Sequence, residues 1–152
     1  MEPSNRSGPP VSRLSPRLAA IVEALPLRPG LRVLEIGGAP GAAAKAVVKL
    51  IGDGHVLVID RSAAGVAQIE RNAVAEIAAG RLSVRQVSAE EFVLLDAEEP
   101  FDLAFAVRVG ALDGRHPEAG RRALRRIADA LTPQGRLFID GGDPLREIAL
   151  RR

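Results

Sequence analysis

The residues with the clearest chemical potential surround one glycine-rich bend in the first third of the chain. Residues 31–36 read LRVLEI and the bend continues as GGAPG, so Glu35 comes two residues before Gly37 and six before Gly41. Such a bend, opening a helix, usually binds phosphate groups through the backbone N–H groups of the helix N-terminus. A glutamate at this place would repel a diphosphate, and it favours a ligand that carries a positive charge.

A dinucleotide site is the alternative for the same bend. Its G-x-G-x-x-G fingerprint requires glycine at positions 37, 39 and 42, but this chain has Ala39 and Ala42. S-adenosylmethionine is a ligand of the positively charged kind, because it carries an ammonium and a sulfonium group and no phosphate. The bend therefore fits this ligand better than a dinucleotide.

A second acid lies where an adenosine ligand needs one. The run HVLVI at 55–59 predicts a buried strand, and Asp60 follows it, 19 residues after Gly41. A carboxylate at that position can accept hydrogen bonds from both ribose hydroxyls, and NAD-binding folds use the same device. Asp60 thus supports an adenosine ligand without choosing between S-adenosylmethionine and NAD.

Alternating strands and helices are needed to bring these acids to one edge of a sheet. Apolar runs predict the strands, and N-cap residues, initial prolines and closing glycines bound the helices. The predicted order is a helix from Ser15 and Pro16, a strand at 31–36, a helix opened by Pro40 and Gly41, a strand at 55–59, a helix from Ser62 to Gly80, strands at 81–87 and 100–107, a helix from Pro117 and a strand at 136–140. This order predicts an α/β fold with a doubly wound, mainly parallel sheet of about five strands and helices on both faces. The ligand is expected at the carboxyl ends of the strands.

Five stretches in this order resemble the class I S-adenosylmethionine-dependent methyltransferases, over about residues 31 to 142. The first is that family's E/D-x-G-x-G-x-G motif, matched by Glu35, Gly37 and Gly41, with Ala39 in place of the middle glycine. The second is Asp60. The others are VRQVSAEEF at 84–92, FDLAFAVRVGAL at 101–112 and ALRRIADALTPQGRLFID at 123–140. In the third stretch Ser88 stands where the family commonly has an aspartate.

The resemblance implies a Rossmann-like methyltransferase fold, with S-adenosylmethionine as cofactor and S-adenosylhomocysteine as product. In the family the acid of the first motif helps to hold the methionine end, and the glycines let the backbone approach it. The matching positions place the methionine end at Glu35, Gly37, Gly38, Ala39 and Gly41, the ribose at Asp60, the adenine beside Arg61 and between Ser88, Ala89 and Glu90, and the sulfonium at Val107 and Arg108.

Plainer roles stay open for several of these residues. Glu35 could cap backbone N–H groups of the bend, and Asp60 could cap the helix that follows it. His116 lies in the loop after the predicted fourth strand, which borders the methyl group in the family. A histidine can act as a general base near neutral pH, although one before a proline in a loop often has no catalytic role.

Missing residue types narrow the choice of acceptor. Cysteine is absent, which excludes the nucleophile of cytosine carbon-5 methylation and thiolate metal sites, and no metal is expected. The stretch from Val107 to Gly110 lacks the Asn/Asp-Pro-Pro-aromatic motif of enzymes that methylate the amino groups of DNA bases and glutamine. Basic residues number 21 against 19 acidic ones, with no Trp or Tyr, so a nucleic-acid partner is not expected. A small-molecule acceptor remains by elimination.

Two other functions stay open. A non-catalytic or incomplete module that binds S-adenosylmethionine, or that serves as a scaffold, is favoured by the departures at Ala39 and Ser88 and by the expected absence of the C-terminal hairpin. An NAD(P)-binding oxidoreductase is disfavoured by Glu35 and by the absence of a tyrosine for the commonest proton-donor role.

The two ends of the chain carry separate expectations. Residues 1–12 are predicted to form a disordered arm and 13–152 a single domain. The segment GGDPLREIALRR at 141–152 suffices for one short helix, so a minimal domain is expected, without the family's C-terminal antiparallel hairpin. The fifth strand would then lie at an edge of the sheet, which the tail could cover or a homodimer could pair. No apolar run reaches membrane-spanning length and no signal-peptide core is visible, which predicts a cytoplasmic protein.

Overall fold

The computed structural model describes residues 14–150, so the predicted arm at 1–12 lies outside the described residues. Six strands form one sheet in the order β3-β2-β1-β4-β5-β6. The elements are α1 (Pro16–Ala24), β1 (Arg32–Ile36), α2 (Ala42–Val48), β2 (His55–Asp60), α3 (Ala63–Asn72), α4 (Val74–Ala78), β3 (Leu82–Gln86), β4 (Phe101–Ala106), α5 (Pro117–Ala130), β5 (Leu131–Asp140) and β6 (Leu145–Ile148), with short 3-10 turns at Ala89–Glu91 and Gly110–Leu112. The predicted doubly wound, mainly parallel α/β fold is confirmed.

Parallel pairing of β1 to β5 brings five strand ends to one edge of the sheet. β1 lies at the centre, parallel to β2 and β4, and β4 is parallel to β5. Because the strands run in one direction, the loops after β1, β2, β4 and β5 meet at their carboxyl ends, where open α/β sheets bind ligands.

The two faces of the sheet are covered by different helices. Side chains that alternate along each strand point to opposite faces, so Val33 and Leu34 belong to separate clusters. One cluster includes residues of α1, α2 and α3, and the other includes residues of α5 and the buried ring of Phe92. Because helices cover both faces of the sheet, the edge formed by the carboxyl ends of the strands is the surface that stays open.

Local residues explain where the helices begin. Ser15 Oγ accepts a hydrogen bond from the Leu18 N–H at 3.1 Å, and Pro16 takes the first position of α1. Ser62 Oγ accepts from the Gly65 N–H at 3.1 Å and caps α3. The helix predicted from Ser62 to Gly80 is in fact two helices, separated at Ala73, whose buried methyl joins the core.

The prediction of one short helix in the C-terminal segment is wrong, whereas cover of the fifth-strand edge by this segment is confirmed. Leu145–Ile148 forms β6, which pairs antiparallel with β5 as a hairpin, so β5 is an interior strand and the sheet has six strands. Leu145 packs against one core cluster and Ile148 against the other, which an extended strand allows because side chains an odd number apart face opposite ways. A dimer through an uncovered β5 edge therefore loses its structural basis.

Across residues 14–150, no helix combines the length and apolar character that a membrane crossing requires.

Candidate functional site

The glycine-rich bend after β1 is tied to the end of β2. The Gly37 N–H donates to the Ile59 carbonyl at 2.7 Å, and the Gly41 N–H donates to the Gly38 carbonyl at 2.7 Å. Gly37 and Gly41 have φ values of +70° and +106°, a region that favours glycine. Both glycines are therefore required by the course of the backbone.

Gly38 lets the bend lie directly on Glu35. A Cβ atom at position 38 would overlap Val58 Cγ1 and would lie 2.8 Å from Glu35 Cδ. The absence of a side chain here leaves the carboxyl group enclosed by backbone, at the end of the central strand.

Glu35 is the buried ionisable group of the site. It is 3% exposed, and its Oε1 atom has no hydrogen-bond partner among the described residues. Burial first, and the nearby carboxylate of Asp60 second, raise the pKa of Glu35 to about 8. A buried polar atom without a partner is unfavourable, and a cationic donor in the adjoining space would satisfy it.

Two cavities open at this edge of the sheet. The first, of about 690 Å³, is bounded by Glu35, the bend and the first turn of α1. The second, of about 560 Å³, is bounded by the ends of β2 and β3 and by the loop after β4. Gly37 and Arg108 line both cavities, so the two spaces meet at these residues.

The structure divides the predicted site residues between the two cavities. The first cavity is lined by Glu35, Gly37, Gly38, Ala39, Val107 and Arg108, and the second by Gly37, Asp60, Arg61, Ser88, Ala89, Glu90, Arg108 and His116. Gly41 lines neither; it precedes α2, and a side chain there would contact Ile69. We name the two spaces, after the ends of the cofactor that the sequence predicts there, the methionine-end cavity and the adenosine-end cavity.

Asp60 has a structural role within the site. Its Oδ1 accepts from the Ser62 N–H at 3.0 Å and its Oδ2 accepts from the Ala39 N–H at 3.2 Å. The carboxylate thus joins the glycine-rich bend to the start of α3. Each carboxylate oxygen can accept more than one bond, so both also remain able to accept ribose hydroxyls from the cavity.

The alanine in place of the middle glycine is accommodated by a glycine elsewhere. A Cβ atom at Gly65 would lie 3.2 Å from the Ala39 methyl group and 2.9 Å from Asp60 Oδ1. The methyl group of Ala39 therefore lies beside a position that has no side chain. Sequence reasoning missed Gly65, although a glycine in the first turn of a helix is a visible signal of close packing.

Sequence reasoning also missed Asp140 and Arg17. The Asp140 carboxylate accepts the Arg108 N–H at 3.0 Å through Oδ1 and pairs with Arg17 Nη2 at 2.8 Å through Oδ2. Asp140 ends β5 as Asp60 ends β2, and this repeated acid at a strand end was the available signal. Nothing local to Arg17 indicates its partner, which lies 123 residues away in the chain.

The residues present fit S-adenosylmethionine. Glu35 lines a space that could receive an ammonium group, and Asp60 stands beside the adjoining space, where a ribose would need an acceptor. Among residues 14–150, no group of three or more His, Asp or Glu side chains is arranged to hold a metal ion.

The chain is similar to known methyltransferases. The model of a family described as a methyltransferase domain matches residues 33–135. Two proteins named protein-L-isoaspartate O-methyltransferase, from Methylorubrum populi and Methylorubrum extorquens, are 37% and 34% identical over 134 residues, or 88% of this chain. The chain spans about half the length of these curated relatives, 56% and 52% respectively.

A solved structure is also similar. It is a SAM-dependent methyltransferase from Thiobacillus denitrificans in complex with S-adenosyl-L-homocysteine, with 26% identity and a TM-score of 0.64. The similarity covers 83% of this chain and 48% of the other.

Proposed function

Because this chain belongs to the family of methyltransferase domains, we propose that it binds S-adenosylmethionine and transfers the methyl group to a small-molecule acceptor. The observation that carries the proposal is the buried Glu35 carboxyl, which has one oxygen without a partner and lines a cavity that adjoins the one beside Asp60. A cationic amino acid joined to an adenosine would satisfy both acids at once.

The roles of the residues follow from their positions. Glu35 would accept from the ammonium group, and the bend from Gly37 to Ala39 would lie along the methionine chain. Asp60 would accept from the ribose, while Ser88, Ala89 and Glu90 would border the base. Arg61 would lie beside the adenine, and Val107 and Arg108 would lie beside the sulfonium.

S-adenosylmethionine supplies an already activated methyl group, so the protein needs mainly to hold the reactants in line. Arg108 lies where the two cavities meet, and the loop after β4 therefore borders the place of transfer. His116 lines the same side of the adenosine-end cavity and would act as a general base toward an acceptor hydroxyl or amine.

The identity of the methyl acceptor needs a separate test. The relatives' names specify an isoaspartate in a protein, and an isoaspartyl peptide therefore belongs in the acceptor panel beside small acids, phenols and amines. Transfer to the peptide and to none of the small molecules would replace the small-molecule acceptor by a polypeptide one.

Calorimetric titration with S-adenosylhomocysteine, S-adenosylmethionine and NAD tests the proposal. We expect micromolar binding of the two adenosyl ligands and none of NAD. Asp60→Ala should abolish binding and Glu35→Ala should weaken it, whereas Asp53→Ala, an exposed acid outside both cavities, should leave it unchanged.

Other outcomes would select the rival functions. Binding of NAD alone would indicate an oxidoreductase. Binding of the adenosyl ligands without transfer to any acceptor would indicate a binding module, and binding of none of the three would indicate a scaffold.

A further inference from the structure

Asp140 joins two parts of the molecule that are far apart in the chain. It ends β5 and is 19% exposed at its side chain, and each of its two oxygens has a different partner. Oδ2 pairs with the Arg17 guanidinium of α1, and Oδ1 accepts the backbone N–H of Arg108 in the loop after β4. The carboxylate is therefore a junction between a helix and a loop.

Both partners of Asp140 line the methionine-end cavity. Arg17 belongs to the wall formed by the first turn of α1, and Arg108 to the part where the two cavities meet. Glu35 lines the same cavity from the end of β1. A ligand held by Glu35 would thus lie beside two segments that Asp140 ties together.

The residues that open α1 have exposed side chains. Ser15, Pro16 and Arg17 are exposed, whereas Leu18 packs against the core and Ile21 and Val22 are buried in it. The Arg17–Asp140 pair is 2.8 Å long and connects this exposed start of the helix to the sheet. Residues 15–17 can therefore open while Leu18 and the later part of the helix stay packed, because local opening needs only the contacts of the opened part to break.

The second bond of Asp140 supports an unfavourable backbone conformation. Arg108 has a φ of +58°, in the left-handed region where a residue with a Cβ atom is disfavoured by about 1 kcal/mol. Because Ala106 pairs with Ile139, the register places Asp140 beside the residue that follows β4. The carboxylate can therefore reach the Arg108 N–H and hold the loop at the junction of the cavities.

We infer that Asp140 is a positioning residue that controls how the cofactor is enclosed. Its ion pair with Arg17, which we name the latch, holds the first turn of α1. Its bond to the Arg108 N–H holds the loop after β4. The inference rests on the proposed function, since it concerns release from the methionine-end cavity. Release of the cofactor requires the Arg17–Asp140 pair to open, and entry of the cofactor requires the same opening.

The rate of cofactor release is measured as the dissociation of tritiated S-adenosylhomocysteine after an excess of the unlabelled compound is added. Arg17→Met removes the latch alone. Asp140→Asn does the same, because its amide oxygen still accepts the Arg108 N–H, and Asp140→Leu removes both bonds. Since Arg17 is half exposed, we expect the first two variants to accelerate release by about threefold, within the range of exposed ion pairs. Asp140→Leu should accelerate it by about tenfold or more.

Arg136→Met is the matched control. The Arg136–Glu147 pair has a length of 2.9 Å and an exposed arginine like that of Arg17, but it joins β5 to β6 and lines neither cavity of the site. Its removal should leave the dissociation rate unchanged. Adding Arg17→Met to Asp140→Leu should have no further effect, because the latch is already absent.

Hydrogen exchange measures how strongly the bound ligand protects the amides of α1, a protection that a purely structural role of Arg17 would not change. In the wild type, S-adenosylhomocysteine should protect the amides at 17–20, and Arg17→Met should lose that protection while the amides of β1 keep theirs. Unchanged release from the Arg17→Met and Asp140→Leu variants, or equal acceleration by Arg136→Met, would overturn the inference and leave the proposed function standing. Failure of the wild type to bind would overturn both.

Discussion

The ends of β1 and β5 carry acids at the same edge of the sheet, in opposite surroundings. Glu35 is 3% exposed and has an oxygen without a partner, whereas Asp140 is 19% exposed and uses both oxygens within the protein. The more deeply buried acid is thus the less satisfied one. Burial alone would predict the reverse, because unpaired buried groups are costly.

The difference separates two functions of strand-end acids. An acid whose bonds are complete, such as Asp140, holds elements in place. An acid left incomplete beside a cavity, such as Glu35, is suited to a ligand that completes it. Asp60 lies between these cases, since it accepts two backbone N–H groups and still borders the adenosine-end cavity.

The largest expected effect concerns stability against pH. The pKa of Glu35 is raised from 4.5 to about 8, so the folded protein keeps a proton that the unfolded chain has lost in this window. The free energy of unfolding should therefore fall as pH rises from 5 to 8. Glu35→Gln removes this titration and should be more stable than the wild type by about 3 kcal/mol at pH 8, with little difference at pH 5.

Urea unfolding followed by far-ultraviolet circular dichroism measures this difference, because the chain has no Trp or Tyr to report by fluorescence. Asp140→Asn is the comparison, and its difference from the wild type should not grow between pH 5 and 8 in the same manner. A constant difference between the wild type and Glu35→Gln across this range would show that Glu35 is already ionised in the folded state.

The second prediction concerns ligand binding. An ammonium group requires the carboxylate form of Glu35, so binding of S-adenosylhomocysteine at pH 7 should release a proton. The dissociation constant should fall by up to about tenfold per unit as pH rises from 6 to 7.5, the limit for loss of one proton. Calorimetry in buffers of different ionisation enthalpy counts the protons, and Glu35→Gln should bind more weakly and release none from this position.

The smallest expected effects arise at Asp140. Asp140→Leu should lower the free energy of unfolding by about 1 to 2 kcal/mol, and Asp140→Asn by less than about 1 kcal/mol, because the amide keeps the bond to Arg108. Adding Arg108→Gly to Asp140→Leu should restore part of the loss, since glycine adopts a positive φ without strain. Equal losses for the Leu and Asn variants in urea unfolding would show that the Arg108 bond contributes nothing.

Much of the fold was predictable because its signals are local. Apolar runs, Ser15 and Ser62 as N-caps and the glycine-rich bend predicted five strands and the helices between them, and the family resemblance that they supported is confirmed. β6 was missed because four residues carry too little periodicity to tell a strand from a helix; its pairing with β5 decides it. The proposed contacts with the cofactor stay predictions.

The sequence by itself determined that acids lie at the ends of the first two strands and that a glycine-rich bend separates the first strand from its helix. These features depend on neighbours in the chain. Only the tertiary structure decided which acid is completed and which is left for a ligand. That outcome depends on parallel pairing of strands distant in sequence, which brings Arg17 and Asp140 together across 123 residues and leaves Glu35 enclosed without a partner.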